Sequence, residues 1–228
     1  LQTLETDKGS WLVYNVHQPG QRAAELLPAI AENALNRLPI PKRMRWGDSD
    51  AQFVRPVHWL VYLHGDQVVP CTLLDAEAGN KTYGHRFHHP QAITLYNPED
   101  YSEVLESLGK VIAHFDKRRT RIREQVLVAA KALGGRPDLD DQLLDEVTAL
   151  NEWPVPITGA FEQRFLAVPQ EALVATMKGN QKYFPVFDND GRLMNHFITI
   201  ANIESKQPDV IRQGNERVVR PRLADAMF

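Results

Sequence analysis

The sequence predicts an α+β fold, a mixed and largely antiparallel sheet with flanking helices. Three observations carry this. Apolar residues recur at helical spacing in five separate stretches. Short β-branched or aromatic runs lie between those stretches. Asp188-Asn189-Asp190-Gly191 separates two such runs with strong hairpin chemistry, because Asn and Gly tolerate positive φ.

The elements follow in order. Trp11 to Val16 alternates as a strand and closes at Pro19-Gly20. Ala23, Leu26, Leu27, Ile30, Ala34 and Leu38 mark a helix over 22–38, ended by Pro39 and Pro41, so strand and helix together suggest half of a β-α unit. Val57 to Leu63 and Val68 to Leu74 read as paired strands around His64-Gly65-Asp66, with Pro56 and Pro70 pointing to an edge or an irregular end. The segment 75–90 reads as a loop, and Ala92 to Tyr96 as a short strand. Asn97-Pro98-Glu99 opens a helix with an N-cap, a first-turn proline and acids. The next helix, 114–133, has a stripe of Phe115, Ile122, Val126, Ala129 and Leu133. Asp138 to Leu150 is a short acidic helix, with Leu139, Leu143, Leu144, Val147 and Leu150 facing inward, stopped by Trp153-Pro154-Val155-Pro156. Ile157–Phe161 and Phe165–Val168 read as strands. Pro169 precedes a helix with Ala172, Leu173, Thr176 and Met177. Tyr183–Phe187 and Phe197–Ile203 form the hairpin, and a loop then delivers arginines onto a last helix.

With 228 residues, 43% hydrophobic and 24% charged, the composition is that of an ordinary globular protein. It is read as one unit over 1–228, with a soft boundary at Gly134-Gly135-Arg136-Pro137. A net charge of −3 gives no global attraction to nucleic acid, so a polyanion binder of this composition needs a local basic face. The single cysteine, Cys71, excludes an intrachain disulfide and fits a reducing, cytoplasmic setting. No apolar run approaches the roughly 18 residues of a membrane span. The chain starts at Leu1 without Met and stops at Phe228 inside a helical pattern, so it is expected to be a fragment of a longer subunit.

Two basic clusters are candidates for nucleic acid. Lys42, Arg43 and Arg45 adjoin Trp46, a set that can grip a phosphate and stack a base, or form a solvated loop anchored by the Trp. Lys110 to Arg136 holds eight basic residues against Asp116 and Glu124. Within it Lys117, Arg118, Arg119, Arg121 and Arg123 form a cationic face suited to an RNA backbone, or else pair with the acids between Asp138 and Glu146. His85, His88 and His89 match no zinc spacing, so no metal is assigned and the histidines read as loop-anchoring groups, with His85-Arg86 a weaker phosphate candidate. Asn202, Glu204, Asn215, Glu216, Arg217, Arg220 and Arg222 crowd the end of the chain. They read as a structural joint or an interface, with the three arginines, Glu216 and Asp225 locking the outgoing helix to the Asn202-Ile203-Glu204-Ser205 loop.

The runs TMKGNQKYFPVFDNDG, NIES and GNERVVRPRLADAMF resemble the β-subunit of bacterial glycyl-tRNA synthetase, the type with two α and two β chains. MRWGDSDAQFVRPVHWLVYL, AGNKTYGHRFHHP and LLDEVTALNEWPVP fit the same family in the same order. The resemblance implies a glycine–tRNA ligase subunit that supports tRNA(Gly) recognition and tetramer assembly beside an α-subunit partner. It implies that ATP and Mg2+ are used by the α-subunit, with no cofactor in this fragment, no DNA and no membrane. It also implies a fold like the aminoacyl-tRNA editing-type domain of the phenylalanyl enzyme's β chain, lying upstream of an HD-type helical domain and an anticodon-binding-type domain. The sequence agrees in lacking a Gly-rich loop followed by Lys-Ser or Lys-Thr, a GxGxxG and a GxSxG. Two other functions stay open. Asn80, Thr82, His85, Asn202 and Glu204 could line a deacylating pocket, or the fragment could be a protein–protein assembly module.

Overall fold

Thr6-Asp7-Lys8-Gly9 is a turn sequence, and it joins the first two strands, β1 (Gln2–Thr6) and β2 (Gly9–Val13), with Thr6 opposite Gly9. The computed structural model describes residues 2–226, and these divide into two units at Asn80/Lys81. β1 has no counterpart in the sequence reading: its only large apolar residue is Leu4, set among Gln, Thr and Glu, so it lacks a strand's hydrophobic signature. Because β2 pairs with β1, the expected β-α half-unit is a hairpin followed by a helix.

The rest of the first unit is α1 (Ala23–Arg37) and seven short strands. β3 (Met44–Arg45) pairs with β4 (Gln52–Phe53), and β6 (Leu63–His64) with β7 (Gln67–Val68). β5 (Leu60–Val61) lies parallel to β9 (Ala76–Gly79), which pairs antiparallel with β8 (Thr72–Leu73). Tyr62 ties α1 to this layer by donating its hydroxyl to the Leu27 carbonyl at 2.8 Å. Val69 and Ala76 are the buried apolar side chains of this unit.

The second unit opens with a two-stranded ribbon, β10 (Lys81–Tyr83) and β11 (Ala92–Thr94). Asn97 caps the next turn as expected, accepting from Glu99 N–H at 3.2 Å, and α2 (Tyr101–Ser107) follows. Then come α3 (Phe115–Ala132), β12 (Arg136–Pro137), α4 (Asp141–Leu150), β13 (Val155–Ala160), α5 (Gln170–Gln181), β14 (Phe184–Phe187), β15 (Leu193–Ala201) and α6 (Pro208–Asp225). The α+β character is as expected. The strands, however, fall into small sheets, and the largest has four antiparallel strands in the order β12-β14-β15-β13.

That sheet is covered on both faces. On one, Phe197 packs with Phe165, Leu173, Met177, Val219 and Leu223 from the α5 and α6 side. On the other, Ile198 packs with Ile122, Val126, Ala130, Leu144 and Val147 from α3 and α4. The two residues are neighbours, so strand alternation alone sends them to opposite cores. Each fully buried large side chain contributes about 1.5–3 kcal/mol by leaving water. The hairpin turn is built as read: Asp188 Oδ1 accepts from Asp190 and Arg192 N–H at 2.9 and 2.8 Å, and Gly191 has φ 79°.

Several expectations change. Residues 134–137 lie within the second unit. Arg136 and Pro137 pair with Phe187 and Val186, and a Cβ on Gly135 would come within 2.7 Å of Met194 Sδ, the Phe187 carbonyl and Val186. Residues 163–167 form a 3-10 turn instead of a strand, which places both Phe165 and Val168 in the core. β15 begins at Leu193, four residues before the expected start, since the polar Asn195 and His196 hide the strand pattern. Leu150 is 63% and Phe115 39% exposed, so both leave the stripes assigned to them. α6 starts at Pro208, so the arginines belong to its body; the part of that pattern at Met227 and Phe228 lies outside the described residues.

Two glycines test this packing in opposite directions. Gly159 faces Phe197 across the β13–β15 pair, and a Cβ there would enter the space of that buried ring. Gly214 lies inside α6, and a Cβ added there would meet nothing within 4 Å. Gly159→Ala is expected to destabilise by about 1–3 kcal/mol through overpacking. Gly214→Ala is expected to stabilise by roughly 0.5–1 kcal/mol, the usual helix-interior difference. Urea unfolding of the two variants measures both.

Candidate nucleic-acid interface

α3 carries the densest basic run, and most of its cations are already engaged. Arg118 points inward: its guanidinium donates to the carbonyls of Ile112, Ala113 and, at 3.1 Å, Thr148. The Thr148 carbonyl lies in the last turn of α4 and also accepts from the C-cap Asn151 N–H at 3.4 Å, so Arg118 adds a second donor at that helix end and closes the approach to α3. Burial lowers its pKa, and nearby Glu152 opposes that. Arg119 bridges Asp145 at 2.5 Å and Asp141 at 2.7 Å, and those carboxylates raise its pKa. Lys117 pairs with Glu106 at 2.5 Å. Arg121 lies over the Trp153 ring at 4.5 Å, and Lys110 at 5.3 Å.

Arg123 and Lys131 remain outward. The solvent face also exposes Leu127 (42%) and Val128 (69%), so it is no continuous cationic strip. In the first unit Arg45 pairs with Asp50 across its own turn, and Arg43 lines an open polar cleft of about 520 Å³ with Ser49, Asp50 and Gln52. Lys42 is exposed.

Several of the polar residues near the chain end bridge elements, while others stay in solvent. Asn202 Oδ1 accepts from the N–H groups of Glu152 and Trp153 at 2.7 and 2.9 Å, closing the corner after α4. Its carbonyl accepts from His85 Nε2 at 2.6 Å. His85 Nδ1 accepts from Phe87 and His88 N–H, and His88 Nε2 accepts from Glu204 N–H at 3.0 Å. The rings of His85 and His88 therefore anchor the loop, and His89 adds a backbone bond to the His85 carbonyl. Glu216 accepts from Ala160 N–H at 3.1 Å, Arg212 pairs with Glu216 at 3.2 Å, and Arg220 pairs with Glu162 at 2.5 Å. So α6 is locked to β13 and the turn after it, not to the Asn202–Ser205 loop. Arg217 and Arg222 stay exposed.

Of the residues considered for a deacylating pocket, His85 and Asn202 meet, with both ring nitrogens and both Asn202 oxygens engaged in the contacts above. Thr82 is buried under the ribbon, Glu204 is exposed, and Asn80 belongs to the first unit. Among the described residues no three His, Cys, Asp or Glu side chains gather as metal ligands, and no helix is long and apolar enough to cross a membrane.

One surface was missed in the sequence. In the ribbon, Thr82 pairs with Ile93 on the buried side, leaving Lys81, Tyr83, Ala92, Thr94 and then Tyr96 on the other. Phe87 in the connecting loop is 72% exposed and Tyr96 76%. The available signal was compositional: residues 81–96 contain no Asp or Glu.

A family model described as "Glycyl-tRNA synthetase beta subunit" matches residues 1–228. The chain belongs to this family. Relatives named glycine–tRNA ligase beta subunit include those of Hahella chejuensis, 54% identical over 228 residues, and Marinobacter nauticus, 52% over 229 residues. That of Edwardsiella ictaluri is 54% identical over 227 residues. Each match covers 100% of this chain and 33% of the relative, so the chain spans about a third of the length of these glycyl-tRNA synthetase beta subunit family members.

Two measurements check the roles assigned to buried polar groups. Arg118→Ala is expected to cost about 1–3 kcal/mol, because carbonyls are left without a donor. Arg123→Ala, at an exposed site, is expected to stay within about 0.5 kcal/mol of the parent in urea unfolding. Tyr183 donates its hydroxyl to Asn215 at 2.7 Å, and burial pushes its pKa up to about 12. Below pH about 10, folded and unfolded states both hold the proton and stability does not depend on it. Between about pH 10 and 12 the unfolded chain releases the proton first, so stability falls. Tyr183→Phe removes that component, and its urea midpoint is expected to fall less steeply over this window.

Proposed function

We propose that this chain serves in the β-subunit of a glycine–tRNA ligase, as a scaffold that contacts tRNA(Gly) and supports assembly with an α-subunit. ATP and Mg2+ act in the α-subunit, where glycine is activated, and the enzyme works in the cytoplasm. The observation that carries the reading is the match of the whole chain to the family. The geometry is consistent with it: several polar groups are spent on internal joints, and among the basic residues of the clusters described above Lys42, Arg123, Lys131, Arg217 and Arg222 are left outward. A deacylating role for His85 and Asn202 is disfavoured, because both ring nitrogens and both Asn202 oxygens already hold the loops together.

Assembly is favoured by a specific feature of the first unit. α1 turns Leu26 (40%) and Ile30 (58%) outward, four residues apart on one ridge. The β1–β2 hairpin exposes Leu4 (52%), Trp11 (58%) and Leu12 (76%), with Leu4 directly opposite Trp11. Apolar area of this kind marks protein interfaces more often than free surface.

The test uses the full-length β-subunit assembled with its α-subunit. Reversing Arg123, Lys131, Arg217 and Arg222 to Glu is expected to raise the KM for tRNA(Gly) by about tenfold or more and to flatten its salt dependence. Glycine-dependent ATP–pyrophosphate exchange is expected to be unchanged. An unaltered KM for tRNA would remove these residues from the RNA contact, and absence of glycylation by the parent complex would end the ligase reading.

A further inference from the structure

We infer that the exposed face of the β10–β11 ribbon, with its connecting loop, binds unpaired nucleotides of the tRNA. The inference deepens the reading of this chain as a tRNA-contacting scaffold, and it rests on that reading.

The ribbon's register decides which side chains meet solvent. Lys81 stands opposite Thr94 and Tyr83 opposite Ala92, while Thr82 and Ile93 are buried at 2% and 4% exposure. Leu95 is buried with them, which sends Tyr96 outward with Ala92 and Thr94. Side chains on one face of a strand repeat roughly every 6.8 Å, twice the rise per residue. That spacing is comparable to the separation of successive nucleotides in an extended single strand.

The loop between the strands is held, and its aromatic ring is not covered. His85 is 3% exposed and fastens the loop from below. It donates Nε2–H to the Asn202 carbonyl at 2.6 Å, and its Nδ1 accepts from Phe87 N–H at 3.3 Å and His88 N–H at 3.4 Å. Its carbonyl accepts from His89 N–H at 2.8 Å, and its own N–H donates to the Gly109 carbonyl at 2.7 Å. The Phe87 backbone is thus fixed while its ring remains 72% in solvent. A preorganised aromatic platform loses little freedom when a base stacks on it.

Charge selects the partner. Residues 81–96 hold Lys81, Arg86 and three histidines and no carboxylate, within a chain of net charge −3. The nearest acids that follow along the sequence, Glu99 and Asp100, belong to the turn before α2. Two outward cations and two exposed rings, in a segment without carboxylates and bordered at His88 by the exposed Glu204, fit a polyanion that offers free base faces. A paired duplex keeps its base faces stacked and unavailable, so the fit is to unpaired RNA.

The experiment uses the full-length β-subunit assembled with its α-subunit and three probes: a single-stranded RNA decamer containing 2-aminopurine, a blunt duplex of the same sequence, and tRNA(Gly). The parent is expected to prefer the decamer to the duplex and to quench its 2-aminopurine emission. Phe87→Ala with Tyr96→Ala is expected to weaken decamer and tRNA binding by about tenfold or more, the consequence of losing stacked bases. Phe87→Leu with Tyr96→Leu keeps apolar bulk without a ring and is expected to lose the quenching as well. Lys81→Ala with Arg86→Ala is expected to reduce the slope of log affinity against log salt by about one to two. Far-UV circular dichroism and melting of every variant should match the parent, as the four side chains are exposed. If the ring variants keep parental affinity and quenching, the ribbon assignment is overturned while parental tRNA binding leaves the scaffold reading in place. If the parent binds the decamer but not tRNA, the scaffold reading falls and single-strand recognition by the ribbon stands. Absence of binding to any probe overturns both.

Discussion

The second unit depends on one strand being buried on both sides. β15 places Phe197 in one core and Ile198 in the other, and both side chains are fully buried. Such a strand can exist only with a partner strand on each edge and a helical layer on each face, because any exposed side leaves large apolar area in water. β14 and β13 supply the edges, α5 with α6 one face, and α3 with α4 the other. Tyr183 stacks on Phe197 at 4.5 Å with the planes 10° apart, so the linkage between α5 and β14 is part of the same core.

The sheet then has two edges to protect, and proline does part of this at each. Pro137 lies on β12 and Pro156 on β13, where a missing N–H offers nothing to an incoming strand. On β13 the Ala160 N–H is taken by Glu216 from α6. This is why charged and amide groups crowd the end of the chain. A core does not call for them, but a sheet edge and several loop crossings do, since each backbone donor or acceptor left unpaired there would cost about a hydrogen bond.

Helices were legible in the sequence because their signals are local. α1, α3 and α4 begin and end within a few residues of the positions read from apolar periodicity, prolines and caps. Asp140 shows the mechanism: the Leu143 N–H, and then Lys178, hold its carboxyl below the usual range while it caps α4. The α3 arginines were legible in part. Pairing with the acids between Asp138 and Glu146 was one of the two readings, and Arg119 takes it with Asp141 and Asp145, 22 and 26 residues away. The inward turn of Arg118 onto backbone carbonyls had no signal in the sequence. Likewise Asn202 and His85, 117 residues apart, share a hydrogen bond that no spacing rule announces. Short strands failed for the opposite reason. Two-residue pairs such as Met44–Arg45 with Gln52–Phe53 are too brief to carry a period.

These contrasts separate anchored charge from available charge. A cation whose donors already meet carbonyls or carboxylates cannot turn to a phosphate without leaving those acceptors unpaired, so counting basic residues overstates the RNA-facing surface of α3. An aromatic ring obeys the reverse logic. Leaving Phe87 in water forgoes roughly 1.5–3 kcal/mol that burial would give, while His85 and its neighbours hold the backbone beneath it in one arrangement. With the loop tied from below, the ring stands 72% exposed, tilted 50° to the His85 ring with centroids 6.1 Å apart, and its open face is available to a stacked base.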